Sequence, residues 1–200
     1  MKDRFVGEIL GVGTAEGTRI VVGCWATSPY GRFADVMVER SDRNRLLFAP
    51  TQEICEYVAS TYVFDALRVL PVHVDRTERS LGVVAGPLRM TATLGTRTPV
   101  GWVLRLLPSA VARSVWFSRV TDPIARIALP GVRTRGTAGG GRLEVYGAHD
   151  VRAVTSLTAS WEGRSLGNLA PVEPPPHFGF GSTPRRPAVT TLTTTVLRSR

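Results

Sequence analysis

Apolar and polar residues alternate through most of the chain, and the breaks in that alternation mark its elements. Two apolar runs, Phe5 to Leu10 and Thr18 to Val22, flank the turn-prone stretch Gly13-Thr14-Ala15-Glu16-Gly17, which predicts a β-hairpin. A turn at Ser28-Pro29-Tyr30-Gly31 leads into a strand from Phe33 to Arg40. The polar turn Ser41-Asp42-Arg43-Asn44 then returns the chain through Leu46-Leu47-Phe48. The first 50 residues therefore read as a meander. Pro50 and Thr51 open a short helix: Thr51 is a capping residue, Glu53 suits the first turn, and Ile54, Tyr57 and Val58 share one face. Strand signals resume at Leu67 to Val72 and at Leu81 to Leu94.

Between Thr98 and Gly131 the two-residue period stops. Three X-Pro steps, at Pro99, Pro108 and Pro123, each put proline where the first residue of a helix belongs, so three short helices are expected. Asp122 would cap the third, and Pro130-Gly131 would end it. A strand ending near Arg135, a turn over Gly136 to Gly141 and a long β-prone stretch from Leu143 to Trp161 follow. Residues 170–187, containing Pro171, Pro174, Pro175 and Pro176, form neither ladder nor helix and read as an extended connector. A Thr-rich strand from Val189 to Leu197 closes the sequence, and no internal repeat is present. The expected architecture is a single domain over residues 1–200: a β-dominated α+β fold whose antiparallel, strongly curved or barrel-like sheet carries a helical insertion at about 98–130. Closure of the sheet is a usual way for so many strands to avoid open edges.

Composition narrows the class. With 200 residues, 43% hydrophobic and 20% charged, the chain can bury a sizeable core without disulfides or metals. Glu8 and several glycines interrupt the apolar stretch near the N-terminus, so no secretory signal is read there. The most apolar window, Val100 to Leu107, falls far short of the roughly 20 residues needed to cross a bilayer. Cys24 and Cys55 lack metal-type spacing and read as reduced, buried thiols, which fits a cytoplasmic protein. The formal charge of +9 comes almost wholly from arginine, since 24 of the 25 basic residues are Arg. Residues 1–80 hold 10 basic and 11 acidic side chains, whereas residues 81–200 hold 15 and 5, so the excess is C-terminal. A solvated basic face accounts for this better than a polyanion site, which disfavours nucleic acid as the partner while leaving peripheral contact with anionic lipid open.

Among candidate motifs, Gly11-Val12-Gly13-Thr14-Ala15-Glu16-Gly17 has the wrong spacing for a dinucleotide loop and precedes a strand, so no helix N-terminus would meet a pyrophosphate. The segment Gly131 to Arg142 is more unusual. Arg133, Arg135 and Arg142 surround Gly139 and Gly140, where backbone N–H groups can converge as an anion-binding nest; a flexible turn with exposed arginines is the alternative. Arg185, in the second glycine–arginine loop Gly181 to Arg186, is the natural partner if the fold joins the two. The segment from Val100 to Leu129 is cationic and apolar together. Its Trp102 and Trp116 suit a lid over a barrel mouth, a helix resting on lipid, or a plain cover for the sheet. His73, His149 and His177 lack ligand spacing, although His149 and His177 could meet with Glu144 or Asp150; no metal or cofactor is called for, and no catalytic signature is present.

Ser28 to Val36, Gly131 to Gly147 and Leu169 to Pro187 together resemble an uncharacterised conserved family of proteins from high-GC bacteria, a likeness that covers most of the chain and implies no function. The stretch Ser28-Pro29-Tyr30-Gly31-Arg32-Phe33-Ala34-Asp35-Val36 also resembles the early hairpin of acetoacetate decarboxylase-like proteins. That resemblance implies a cone-shaped β-barrel around a small-acid pocket. It does not imply the Schiff-base chemistry, because the only lysine is Lys2, near the end of the chain. The leading expectation is thus non-catalytic binding of a small ligand with an apolar body and an acidic head in a barrel-like pocket. The alternatives are an enzyme of unrecognised class using His149 or His177 with a carboxylate, and binding to nucleic acid or anionic membrane through the basic C-terminal part.

Overall fold

The computed structural model describes residues 2–106, 135–138, 142–179 and 183–197. The hairpin forms from β1 (Lys2–Thr14) and β2 (Arg19–Thr27), with Thr14 Oγ1 and the backbone N–H of Thr14 both closing onto the Thr18 carbonyl. The meander continues through β3 (Phe33–Glu39) and β4 (Arg45–Ala49). Helix α1 (Gln52–Ala59) follows, and the Thr51 hydroxyl accepts from the Ile54 N–H at 3.3 Å as a cap should.

The expected strand over Leu67 to Val72 is in fact two strands with different partners. β5 (Ala66–Val69) pairs with β4, and β6 (Val72–Arg76) pairs with β7 (Ser80–Ala85). Pro71 lacks the N–H that a continuous ladder would use, so the chain can change partners there. β5 also corrects the expectation of a wholly antiparallel sheet: it lies parallel to β4, because α1 carries the chain back to the end where β4 began. β8 (Leu88–Arg97) and α2 (Pro99–Leu106) follow, α2 starting on the proline that predicted it. The steps at Pro108 and Pro123 lie outside the described residues. β9 (Arg135–Ala138) begins where a strand was expected to end, and it pairs with the long β10 (Arg142–Trp161). Short β11 (Arg164–Ser165) and β12 (Leu169–Ala170) precede the connector, and β13 (Ala188–Leu197) ends the described chain. No described helix is long and apolar enough to cross a membrane.

Among the described residues all thirteen strands belong to one sheet, with the main order β5-β4-β3-β2-β1-β13-β10-β8-β7-β6. The sheet is open and strongly curled into a half-barrel. Its two marginal strands, β5 and β6, are successive in the chain and joined only by Leu70 and Pro71. A link of that length spans about 11 Å at most, so the margins must approach each other. Bulges supply curvature: β10 shifts register between Ala148 and Asp150 and again on either side of Val154, and β1 shifts between Val6 and Gly7. A Cβ on Gly7 would lie 2.0 Å from the Cys24 carbonyl oxygen, so the close approach of β2 at this bulge requires glycine.

Both faces of the central strands are buried. Leu10, Val12, Ile20, Val22, Val36 and Val38 point into the curl and pack with Leu81, Val83, Leu88 and Met90 from the far wall. Their sequence neighbours Ile9, Val21 and Met37 point outward, beneath Ile54, Cys55 and Val58 of α1 and Phe178 of the connector. Each such side chain contributes roughly 1.5–3 kcal/mol on burial, so the two layers share the stabilisation. The end of the curl at Arg19 and Glu39 is closed by a buried ion pair. Arg19 Nη2 lies 2.5 Å from Glu39 Oε1, and the backbone and ring of His177 also donate to or meet the same carboxylate.

Candidate functional site

The opposite end of the curl is not filled. On β1 the inward series Val12, Leu10 continues to Glu8; on β6 the series Val72, Val74 continues to Arg76; on β13 it reaches Thr191. There a cavity of about 640 Å³ opens, with Val6, Val72, Val74, Trp25 and Phe33 among its apolar walls. Arg76 spans it: its Nε donates to Glu8 Oε2 at 2.9 Å, while Thr191 Oγ1 donates to Glu8 Oε1 at 3.4 Å. The Glu8 and Arg76 side chains remain partly exposed, at 26% and 30%. Arg32 adds a second guanidinium from the turn before β3. Two cations and one carboxylate therefore line a largely apolar mouth.

Cys24 also lines this cavity, but not as a nucleophile. Burial, then the nearby Asp35 and Glu8, push its thiol up to about 12, so it stays protonated at physiological pH. Lys2, the only lysine of the sequence, is the first residue of β1.

Register shows where the neighbouring segments attach. Thr191 pairs with Glu8 on one side and Asp150 on the other. From that level β10 runs back toward Arg142 and the β9 hairpin, and β8 ends at Arg97, whose Nε donates to Asp150 at 2.7 Å. The described chain on either side of residues 107–134 thus leaves the sheet at the end where the cavity opens.

Of the residues singled out from sequence, Arg135 lies opposite Val145 and Arg142 opposite Ala138 in the β9–β10 register. Trp102 sits on α2, 59% exposed, with the Arg97 guanidinium 4.6 Å over its ring. Arg185 is held by Glu173 across the connector and does not line the mouth. Arg133, Gly139, Gly140 and Trp116 lie outside the described residues. The histidines do not converge: His149 Nε2 meets Thr193 Oγ1 at 2.9 Å, His177 belongs to the Glu39 pair at the closed end, and neither lines the mouth. Among the described residues no group of three or more His, Cys, Asp or Glu could hold a metal ion. Glu8, Arg32, Arg76 and Cys24 were not singled out from sequence. The available signal was the polar residue that ends an otherwise apolar inward series, and it has meaning only once the inward face is known.

No family model matches the chain, and no curated protein does. Among solved structures it is similar to acetoacetate decarboxylase from Legionella pneumophila subsp. pneumophila str. Philadelphia 1, with a TM-score of 0.46 and 11% identity over 98% of this chain and 85% of that one. That is the family whose early hairpin Ser28 to Val36 resembles.

Proposed function

We propose that this protein binds a small organic acid at the open end of its curled sheet, without transforming it. The carboxylate of the ligand sits between Arg32 and Arg76, and its apolar body lies against Val72, Val74, Trp25 and Phe33. The observation that supports this reading is the cavity of about 640 Å³ with an apolar wall and two guanidinium groups. Pockets that hold small molecules combine these same ingredients: a concave apolar surface and a few charged groups that fix orientation. Arg76 already has a partner in Glu8, so the ligand's head competes with or joins that pair, while Arg32 is exposed at the rim.

A thermal-shift screen of short and medium-chain carboxylates against their methyl esters tests the reading. Acids of five to ten carbons are expected to raise the unfolding midpoint, and esters are not. An Arg32→Ala/Arg76→Gln double variant should lose at least tenfold in affinity. Equal response to acids and esters, or unchanged affinity in the double variant, would refute the assignment.

A further inference from the structure

A second cavity, of about 50 Å³, lies on the outer face of the sheet beneath α1. It shares Trp25 and Phe33 with the mouth but is otherwise walled by different residues. Five aromatic residues of this face, Phe5, Trp25, Tyr30, Phe33 and Tyr57, contact one another in edge-on and tilted arrangements with ring centroids 5.1 to 6.5 Å apart. Such a wall would ordinarily enclose an apolar guest. This one holds a carboxyl group. Asp35, 4% exposed, lines the cavity, and its Oδ1 accepts from the Trp25 indole N–H at 2.9 Å. Its other oxygen has no hydrogen-bond partner among the described residues, and no basic side chain lines the cavity.

Two more polar atoms point to a guest. Thr61 Oγ1 and Thr194 Oγ1 are buried without a hydrogen-bond partner among the described residues, and both residues line this cavity. Leaving a buried polar group unmatched costs about 1–3 kcal/mol each, so two buried hydroxyls without partners beside a carboxylate favour an occupant that donates several hydrogen bonds. The backbone is arranged to keep the acid there. A Cβ on Gly23 would fall 2.5 Å from Asp35 Oδ1 and 2.7 Å from Trp25 Nε1, so the β2 residue facing this pair must lack a side chain.

We infer that the cavity beneath α1 is a binding site for the primary ammonium head of a small amine, held by Asp35, Thr61 and Thr194 and enclosed by aromatic rings. An R–NH₃⁺ group has three N–H donors for three oxygen acceptors, and its charge complements both the carboxylate and the ring faces. Quaternary ammonium ions carry no N–H donor and would leave these oxygens unmatched.

The test is titration of the whole protein at pH 8 with methylammonium chloride, followed by calorimetry and by thermal shift. Sodium chloride, tetramethylammonium chloride and methanol are the comparison probes. Methylammonium should bind saturably and raise the midpoint, with no such response to the other three. Asp35→Asn should weaken it at least tenfold and Thr194→Val at least threefold. An equal response to sodium would reduce the effect to ionic strength, and equal binding of tetramethylammonium would show that N–H donation is not recognised. Equal binding of methanol would show that charge is not recognised. Any of these, or undiminished binding in Thr194→Val, overturns the inference. The outcome is independent of the carboxylate screen, because neither Arg32 nor Arg76 lines this cavity.

Discussion

Asp35→Asn changes one atom in the buried carboxyl and removes its charge, so it isolates what burial of that acid costs. Burial is the larger influence on Asp35 and raises its pKa from an ordinary 3.8 to about 7, against the lowering effect of the Trp25 hydrogen bond. A folded-state pKa above the unfolded one means that between pH 4 and pH 7 the native protein holds a proton which the unfolded chain has lost. Stability from this group is therefore greatest in acid, declines as pH rises through that window, and levels off above the folded pKa. The full displacement of about three units corresponds to about 4 kcal/mol, of which about 3 kcal/mol falls between pH 5 and pH 8. Asparagine keeps an acceptor for the Trp25 N–H and never ionises. Urea unfolding of both proteins at pH 5 and pH 8 should thus show the variant gaining on wild type by about 3 kcal/mol at the higher pH. The loss of a charge-assisted bond to Trp25 offsets part of the absolute gain but not its dependence on pH. A change in the difference of less than about 0.5 kcal/mol between the two pH values would mean that water or a cation reaches the carboxyl freely, and the reasoning would fail.

Two further predictions concern other titratable groups. Burial alone would raise the pKa of Glu39, but hydrogen bonds from His177 and the Arg19 charge outweigh it and lower the pKa below 4.5; its stabilisation is present at neutral pH and is lost as pH falls through that lowered value. Glu39→Gln leaves the Arg19 guanidinium buried without its partner and should cost about 3–5 kcal/mol at pH 7 in chemical denaturation; a cost under 1 kcal/mol would show that the pair is not sealed. Cys24, half-buried in the mouth with its thiol raised to about 12, should react slowly with iodoacetamide at pH 8 in the folded protein and faster on addition of denaturant; rapid labelling of the native state would contradict the raised pKa.

Local signals in the chain proved sufficient at several turns, caps and strands whose cause is local. The β1–β2 turn over Gly13 to Gly17 and the Thr51 cap depend on residues within four positions of one another, so their chemistry is readable directly. The alternation of β8, buried at Leu88, Met90, Ala92 and Leu94 and exposed between them, likewise declares a strand with one face inward. The dominance of strands and the curvature of the sheet follow from the number of such segments.

What the tertiary structure alone decided is which face of each strand meets what. Leu67 to Val72 carries one continuous β signal, yet its halves join opposite margins of the sheet, because strand pairing is set by partners far along the chain rather than by propensity. Glu8 and Arg76 read as ordinary charges 68 positions apart until the curl brings them across the mouth. Asp35 sits at a polar position of an alternating strand, where solvent is the natural expectation; α1 and the aromatic side chains cover that face and turn a surface acid into a buried one. The residue pattern specifies which side chains can share a face. Only the curling of the sheet determines whether that face is packed, open to a ligand, or sealed beneath a helix, because burial depends on elements distant in sequence.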